Sequence, residues 1–156
     1  MIRDEHKQFL LGPASAGKTR HSGRMLYDHL AGTHALLEAW GNSEDICNAG
    51  LFHSIYGTKR FRHQSWPIEK RGTIQKLIGY EPEVMAWIFC TADRPRAWFV
   101  ETTEPAELMR SLREIEAANL IEQGSGSRWL KPLRDSDISD AAKRAIERHL
   151  RREVAA

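Results

Sequence analysis

Long apolar runs, cysteine pairs and an excess of one charge are all missing from this 156-residue sequence. No stretch approaches the roughly 18 apolar residues of a membrane-spanning helix, and the N-terminus lacks the apolar segment of a secretory signal. The 23 basic and 21 acidic residues are interspersed and leave a formal charge of +2, which is too small to indicate nucleic-acid binding. We therefore expect a cytoplasmic protein with neither a membrane nor a nucleic-acid partner.

Only two cysteines are present, Cys47 and Cys90, and their spacing matches neither a metal-binding nor a redox motif. Both lie in apolar helical contexts, so we expect buried and reduced thiols. The chain is long enough for one domain with a substantial core, because a chain near 150 residues buries roughly 70% of its unfolded surface. The composition does not fix the oligomeric state, which leaves a homo-oligomer open.

Helical periodicity dominates what is present. Apolar residues at near-helical spacing predict two core helices, at about residues 23–40 and 44–56. Further helices are predicted at about residues 67–78, 81–93, 104–121 and 136–152. No run of alternating residues indicates a sheet. We predict a single all-α domain, with an N-terminal helix and loop at 1–20, a helical core at 21–122, and a C-terminal linker and helix at 123–156.

Residues 12–19 spell the G-x-x-x-x-G-K-[ST] pattern of a phosphate-binding loop. That loop requires a buried strand before it and a parallel sheet behind it, and the flanking sequence indicates neither. We therefore interpret the segment as an entry loop before the first core helix.

Two histidines are predicted to meet inside the bundle. Helical spacing places His29 on the inward face of the first core helix. His53 lies in the otherwise small and apolar stretch 49–58, where Gly50 would let a neighbouring helix approach closely. We expect the two rings to face each other, with His21 at the rim of the same pocket. The alternative is that each ring is simply hydrogen-bonded within the core, as buried polar groups normally are.

Three segments that carry these residues resemble the HD superfamily of helical metalloenzymes, particularly its alarmone (ppGpp) hydrolase branch. They are His29-Leu30, Ala49-Gly50-Leu51-Phe52-His53-Ser54 and Thr91-Ala92-Asp93-Arg94. In that family an early helix supplies a histidine, the next supplies a histidine–aspartate pair, and a later one supplies an aspartate. The resemblance implies that residues 21–122 form an HD-like helical bundle. The block from His21 to Thr58 also resembles a small uncharacterised bacterial family.

Ser54 stands where the HD pair has its aspartate. A serine hydroxyl is a poor ligand for a hard divalent ion, so a binuclear site is not expected. The resemblance implies one divalent metal ion (Mn, Fe or Zn) held by His29, His53 and Asp93, with His29, His53 and Ser54 as catalytic residues. Such an ion would lower the pKa of a bound water toward about 7.

Basic residues follow directly on the His53 segment. Arg60 and Arg62, with Arg24 upstream, are candidates to hold a small anionic substrate, because guanidinium groups bind phosphate and carboxylate in a bidentate manner. Trp66 is a candidate to stack on a planar ligand. The alternatives are a solvated basic loop and a tryptophan that packs in the core.

These features predict a metal-dependent hydrolase of a small phosphorylated metabolite or nucleotide. One alternative is an iron-dependent oxygenase on the same scaffold, since some HD relatives use iron and dioxygen. Another is a metal-free ligand-binding module or pseudo-enzyme that lost the HD aspartate. A metal-free acid–base role for the two histidines is also open, because imidazole titrates near neutrality.

Overall fold

The computed structural model describes residues 1–93, 96, 105–124 and 127–155, which contain eight α-helices and one short hairpin. In chain order the elements are α1 (Asp4–Leu11), β1 (Arg20–His21), β2 (Arg24–Met25), α2 (Leu26–Ala39), α3 (Glu44–Leu51), α4 (Arg71–Ile78), α5 (Tyr80–Thr91), α6 (Ala106–Glu122), α7 (Ser127–Arg134) and α8 (Asp140–Ala155). The predicted single all-α domain is confirmed. Arg94, and Ser125 and Gly126 of the predicted linker, lie outside the described residues.

Helices α2, α3 and α6 pack against one another at the centre of the bundle. Leu30 and Leu37 on α2, and Leu112 and Ile115 on α6, are fully buried. Each such side chain stabilises the fold by about 1.5–3 kcal/mol relative to an exposed one. Both cysteines are free and buried, as predicted. None of the helices in the described residues combines the length and the apolar character that a bilayer crossing requires.

Gly50 allows α2 and α3 to lie close together. A Cβ atom at this position would collide with Cδ1 of Leu37, whose side chain is fully buried. The predicted role of Gly50 as a small residue at a helix contact is therefore confirmed. This close approach brings the end of α3 next to the inward face of α2.

The second core helix is shorter than predicted. Helix α3 ends at Leu51, and residues 52–56 form successive turns. Gly57 N–H bonds to the carbonyl of Ser54 at 3.0 Å, a three-residue step instead of the four-residue step of an α-helix. Gly57 itself has φ of 78°, which a residue without a Cβ adopts readily. The prediction of a helix to residue 56 was wrong, and His53 lies in the turn that follows α3.

A two-stranded antiparallel hairpin precedes α2, although the sequence pattern indicates no sheet. Ser22 and Gly23 form its turn with φ of 49° and 85°. Positive φ at both central residues is the geometry of a tight hairpin turn. The helix predicted from residue 23 therefore begins at Leu26.

Residues 12–19 form turns that lead from α1 into this hairpin. The described residues contain no parallel sheet behind them, in agreement with the interpretation as an entry loop. At the other end of the chain, Ser139 Oγ accepts a hydrogen bond from Ala142 N–H at 3.1 Å and caps α8. Helix α7 was not predicted.

A buried ionic network ties the turn after α3 to α4 and α5. The fully buried Glu83 carboxylate accepts hydrogen bonds from Tyr56 Oη at 2.8 Å, Arg71 Nε at 2.7 Å and Gln75 Nε2 at 3.0 Å. Burial by itself raises the pKa of Glu83, but the bonds from Arg71, Gln75 and Tyr56 outweigh it and lower the pKa below 4.5. The network holds Tyr56, and with it the turn that carries His53.

We expect Gly50→Ala to lower the free energy of unfolding by about 1–3 kcal/mol, the usual cost of an extra carbon in a packed core. Denaturant titration measures this change. Gly72→Ala is the matched control, because a Cβ there meets open space on α4, and we expect no loss of stability. Equal losses in both variants would contradict the close contact of α2 with α3.

Glu83→Gln is expected to lower the free energy of unfolding by about 3 kcal/mol near neutral pH, because it leaves Arg71 without a buried counter-charge. The folded-state pKa of Glu83 is depressed, so its contribution is present above pH 4.5 and is lost as the pH falls through that folded-state value. Acidification should therefore destabilise wild type more than Glu83→Gln. The exposed Glu81→Gln on the same helix is the control. Parallel pH profiles for wild type and Glu83→Gln would refute this account.

Candidate functional site

His29 and His53 meet in the protein interior. Their Nε2 atoms lie 3.1 Å apart, and the two residues are 0% and 1% exposed. His29 comes from the inward face of α2, and His53 from the turn after α3. The predicted convergence of these two imidazoles is confirmed.

The outer nitrogen of each ring has its own partner. His53 Nδ1 donates to the carbonyl of Gly50 at 2.7 Å, and a carbonyl only accepts, so the Nε2 atom of a neutral His53 carries a lone pair. His29 Nδ1 contacts the carboxylate of Glu122, which favours a proton on that nitrogen. With both protons on the outer nitrogens, the two Nε2 lone pairs face each other.

Burial keeps both rings neutral. Desolvation lowers the pKa of His53 well below its usual value, and the neighbouring His29 lowers it further. Desolvation followed by the nearby His21 lowers the pKa of His29 in the same way. A neutral imidazole has a single N–H group, and in these tautomers each ring carries it on the outer side. Neither ring therefore has a proton of its own to place between the two Nε2 atoms.

Helix α6 supplies two site residues that the sequence patterns did not predict. Asn119 Oδ1 lies 3.1 Å from His53 Nε2 and accepts a hydrogen bond from Gln123 Nε2 at 2.9 Å. Glu122, with a side chain only 6% exposed, contacts His29. Asn119, Glu122 and Gln123 are spaced three and four apart and share one helix face. A polar triplet at helical spacing inside an apolar stripe was the signal that could have found them.

The structure does not bring Asp93 to the two rings. Its side chain is 88% exposed, and it pairs with Lys59 Nζ at 3.1 Å on the surface. A carboxylate in solvent cannot contact imidazoles that are excluded from it. Within the described ranges, no three His, Cys, Asp or Glu side chains are grouped to hold a metal ion. The amide of Asn119 lies beside His53, where the third ligand was expected.

Ser54 and His21 contribute buried polar atoms that have no protein partner among the described residues. Ser54 is 2% exposed with an unpaired Oγ, and His21 is 8% exposed with an unpaired Nδ1. The His21 ring stacks on His29 with centroids 4.4 Å apart, as expected for a residue at the rim. Desolvation lowers the pKa of His21. Because buried polar atoms are normally paired, both are suited to a polar ligand.

These residues surround a cavity of about 400 Å³, within the range of small-molecule sites. Its lining is almost entirely polar and contains no acidic side chain. The lining residues are Arg20, His21, Ser22, His53, Ser54, Thr58, Arg60, Phe61, Phe89, Arg96, Asn119 and Gln123. Arg96 is paired with the buried Glu116. Such a lining favours a small anion.

Of the four residues predicted to bind substrate, Arg60 lines the cavity. Arg20, which was not predicted, lines it as well, and neither arginine forms an ion pair within the described residues. Arg24 instead binds Glu122, and Arg62 is exposed outside the lining. Arg60 and Arg62 are two positions apart in sequence, but only Arg60 reaches the cavity.

Trp66 lies away from the cavity. Its ring packs on Phe9 with centroids 4.9 Å apart, and its Nε1–H donates to the carbonyl of Lys70 at 3.2 Å. Both its apolar face and its polar edge are therefore engaged in the fold. Of the two roles considered for Trp66, the structure favours packing.

Comparison with known proteins identifies the family. Residues 10–94, more than half of the chain, match the model described as Domain of unknown function (DUF6817). The chain belongs to this family. No curated protein and no solved structure matches it. The DUF6817 region contains His29, His53 and Ser54, whereas Asn119 and Glu122 on α6 lie beyond its end.

Proposed function

We propose that this DUF6817 protein is a metal-dependent hydrolase of a small phosphorylated metabolite or nucleotide, acting in the cavity beside His53. One observation carries the proposal. His29 Nε2 and Asn119 Oδ1 each lie 3.1 Å from His53 Nε2, and with both ring protons on the outer nitrogens no N–H donor stands between these atoms. Facing lone pairs repel, so a cation at this point is favoured.

The donor set is compatible with a single ion. His29 and His53 would hold it, with the neutral oxygens of Asn119 and Ser54 beside them. The outer nitrogens of the two rings bond a carboxylate and a carbonyl, an arrangement typical of metal-binding histidines. Imidazole ligands without a carboxylate suit zinc or iron better than a hard ion. When bound, such an ion supplies an activated water for hydrolysis.

The remaining cavity residues are suited to bind the phosphate. Arg20 and Arg60 offer paired N–H donors, which match phosphate oxygens, and Ser54 Oγ adds a buried donor. Attack by water on phosphorus breaks the bond to the leaving oxygen, which takes up a proton and departs as an alcohol with inorganic phosphate. We assign this reaction to the cytoplasm, where the free thiols of Cys47 and Cys90 persist.

A metal-free acid–base enzyme is the second candidate. It is supported because, among the described residues, no third His, Cys, Asp or Glu side chain joins the two imidazoles to hold a metal ion. A proton shared between His29 and His53 would then take the place of the metal ion, and the pair would transfer it to a bound anion. Burial of both rings disfavours this extra charge, which ranks the candidate second.

Protein purified without chelator is expected to contain zinc, iron or manganese at about one ion per chain, as measured by elemental mass spectrometry. His53→Gln should lose the ion because it removes an imidazole. Asp93→Asn is the matched control and should retain the ion, since that carboxylate is 88% exposed.

Full activity in metal-free wild type would contradict the proposal that hydrolysis depends on a metal ion. It would favour the histidine pair acting alone. Bound iron together with consumption of dioxygen would instead assign the oxygenase alternative. Equal metal loss in Asp93→Asn and His53→Gln would refute the proposed ligand set.

We expect Arg20→Gln and Arg60→Gln each to lower kcat/KM about tenfold for those phosphomonoesters that the wild-type protein hydrolyses. A hydrogen bond to a charged group contributes roughly 1.5 kcal/mol, which corresponds to this factor. Arg62→Gln is the control and should leave the rate unchanged. Calorimetric titration with inorganic phosphate should show weaker binding by Arg20→Gln and Arg60→Gln and unchanged binding by Arg62→Gln. Binding without turnover in any of a broad panel would identify a ligand-binding module instead.

A further inference from the structure

His29 is held from behind by an ion pair that joins the hairpin to α6. The two carboxylate oxygens of Glu122 have different partners, with Oε1 contacting Arg24 Nη2 and Oε2 contacting His29 Nδ1. Arg24 Nη2 also donates to the backbone carbonyl of Glu122 at 2.6 Å. Both acceptor oxygens of this carboxylate are therefore occupied by N–H groups.

Gly32 provides the space for this arrangement. A Cβ atom at residue 32 would lie 2.6 Å from Glu122 Oε1, so the carboxylate reaches His29 only over a bare Cα. His21, on the same hairpin as Arg24, stacks on the face of the His29 ring. The ring is thus restrained on its face and at its outer nitrogen, while Nε2 points to His53.

We infer that Glu122 and Arg24 form a positioning pair that selects the tautomer of His29, with the proton on Nδ1 and the lone pair on Nε2. The inference deepens the proposed function. It rests on that function only for the role of the Nε2 lone pair, which is to hold the metal ion. Glu122 binds His29 at Nδ1 and Arg24 binds Glu122, so both act on the reaction only through His29.

The chemistry of the Glu122 side chain makes the inference testable. A carboxylate has two acceptor oxygens and no donor, whereas an amide has one acceptor and one donor group. In Glu122→Gln, Arg24 takes the single oxygen and the NH₂ group faces His29 Nδ1. The His29 proton must then move to Nε2, where it donates to His53 Nε2. The amide oxygen still accepts from Arg24, and both ring nitrogens of His29 keep a partner, so the variant should fold.

We would read the tautomers by long-range ¹H–¹⁵N correlation spectra of chelator-treated protein at about pH 8, because burial raises the pKa of Glu122 to about 7. Wild-type His29 should show a protonated Nδ1, and Glu122→Gln a protonated Nε2. Arg24→Met/Glu122→Gln should restore the wild-type pattern, since the freed amide can turn its oxygen to His29. His53 is the internal control and should keep its proton on Nδ1 throughout.

A wild-type His29 protonated on Nε2 would overturn the inference, and so would a Glu122→Gln variant that keeps the proton on Nδ1. If Glu122→Gln does not fold, the wild-type spectrum still decides the first of these outcomes. The measurement uses no metal and no substrate. A protein that binds no metal and hydrolyses nothing would refute the proposed function and leave the tautomer result standing.

Discussion

The contact between the imidazoles of His29 and His53 places two buried Nε2 atoms 3.1 Å apart, and the rest of the site is arranged around it. Helix α2 and the turn after α3 bring their rings this close because Gly50 has no side chain to hold α2 and α3 apart. Burial lowers the pKa of both rings and keeps them neutral. The hydrogen bonds at the outer nitrogens favour lone pairs that point inward. The proposed function places a metal ion at this contact.

Charge around the site is separated into two zones. Behind His29 lies the carboxylate of Glu122, whereas Arg20 and Arg60 stand in the lining of the cavity. Arg24 pairs with the carboxylate and offsets its negative charge. In the proposed function, the contact between the two histidines holds a cation and the cavity lining holds an anion. Hydrolysis of a phosphorylated compound at a metal ion needs both, which is why the two halves of the proposal support each other.

Helical periodicity predicted the fold class, the inward direction of His29 and the meeting of His29 with His53. These succeed because the spacing of residues along a helix sets the face on which they lie. The third residue of the site was not predictable in this way. Glu122 is 93 positions from His29, and its approach depends on how α6 packs on α2 and α3. Asp93, chosen by resemblance, lies at the surface because the chain past α5 carries it away from the rings.

The sequence by itself determined that this protein is helical, that two histidines enter its core, and that a serine follows one of them. Only the tertiary structure decided that Asn119 faces these rings, that Glu122 supports one of them, and that Arg20 shares the cavity with Arg60. The difference has one physical cause. Local spacing sets the direction of a side chain, but contacts between distant segments follow from the packing of whole helices, where shape and burial across the entire core choose the partners.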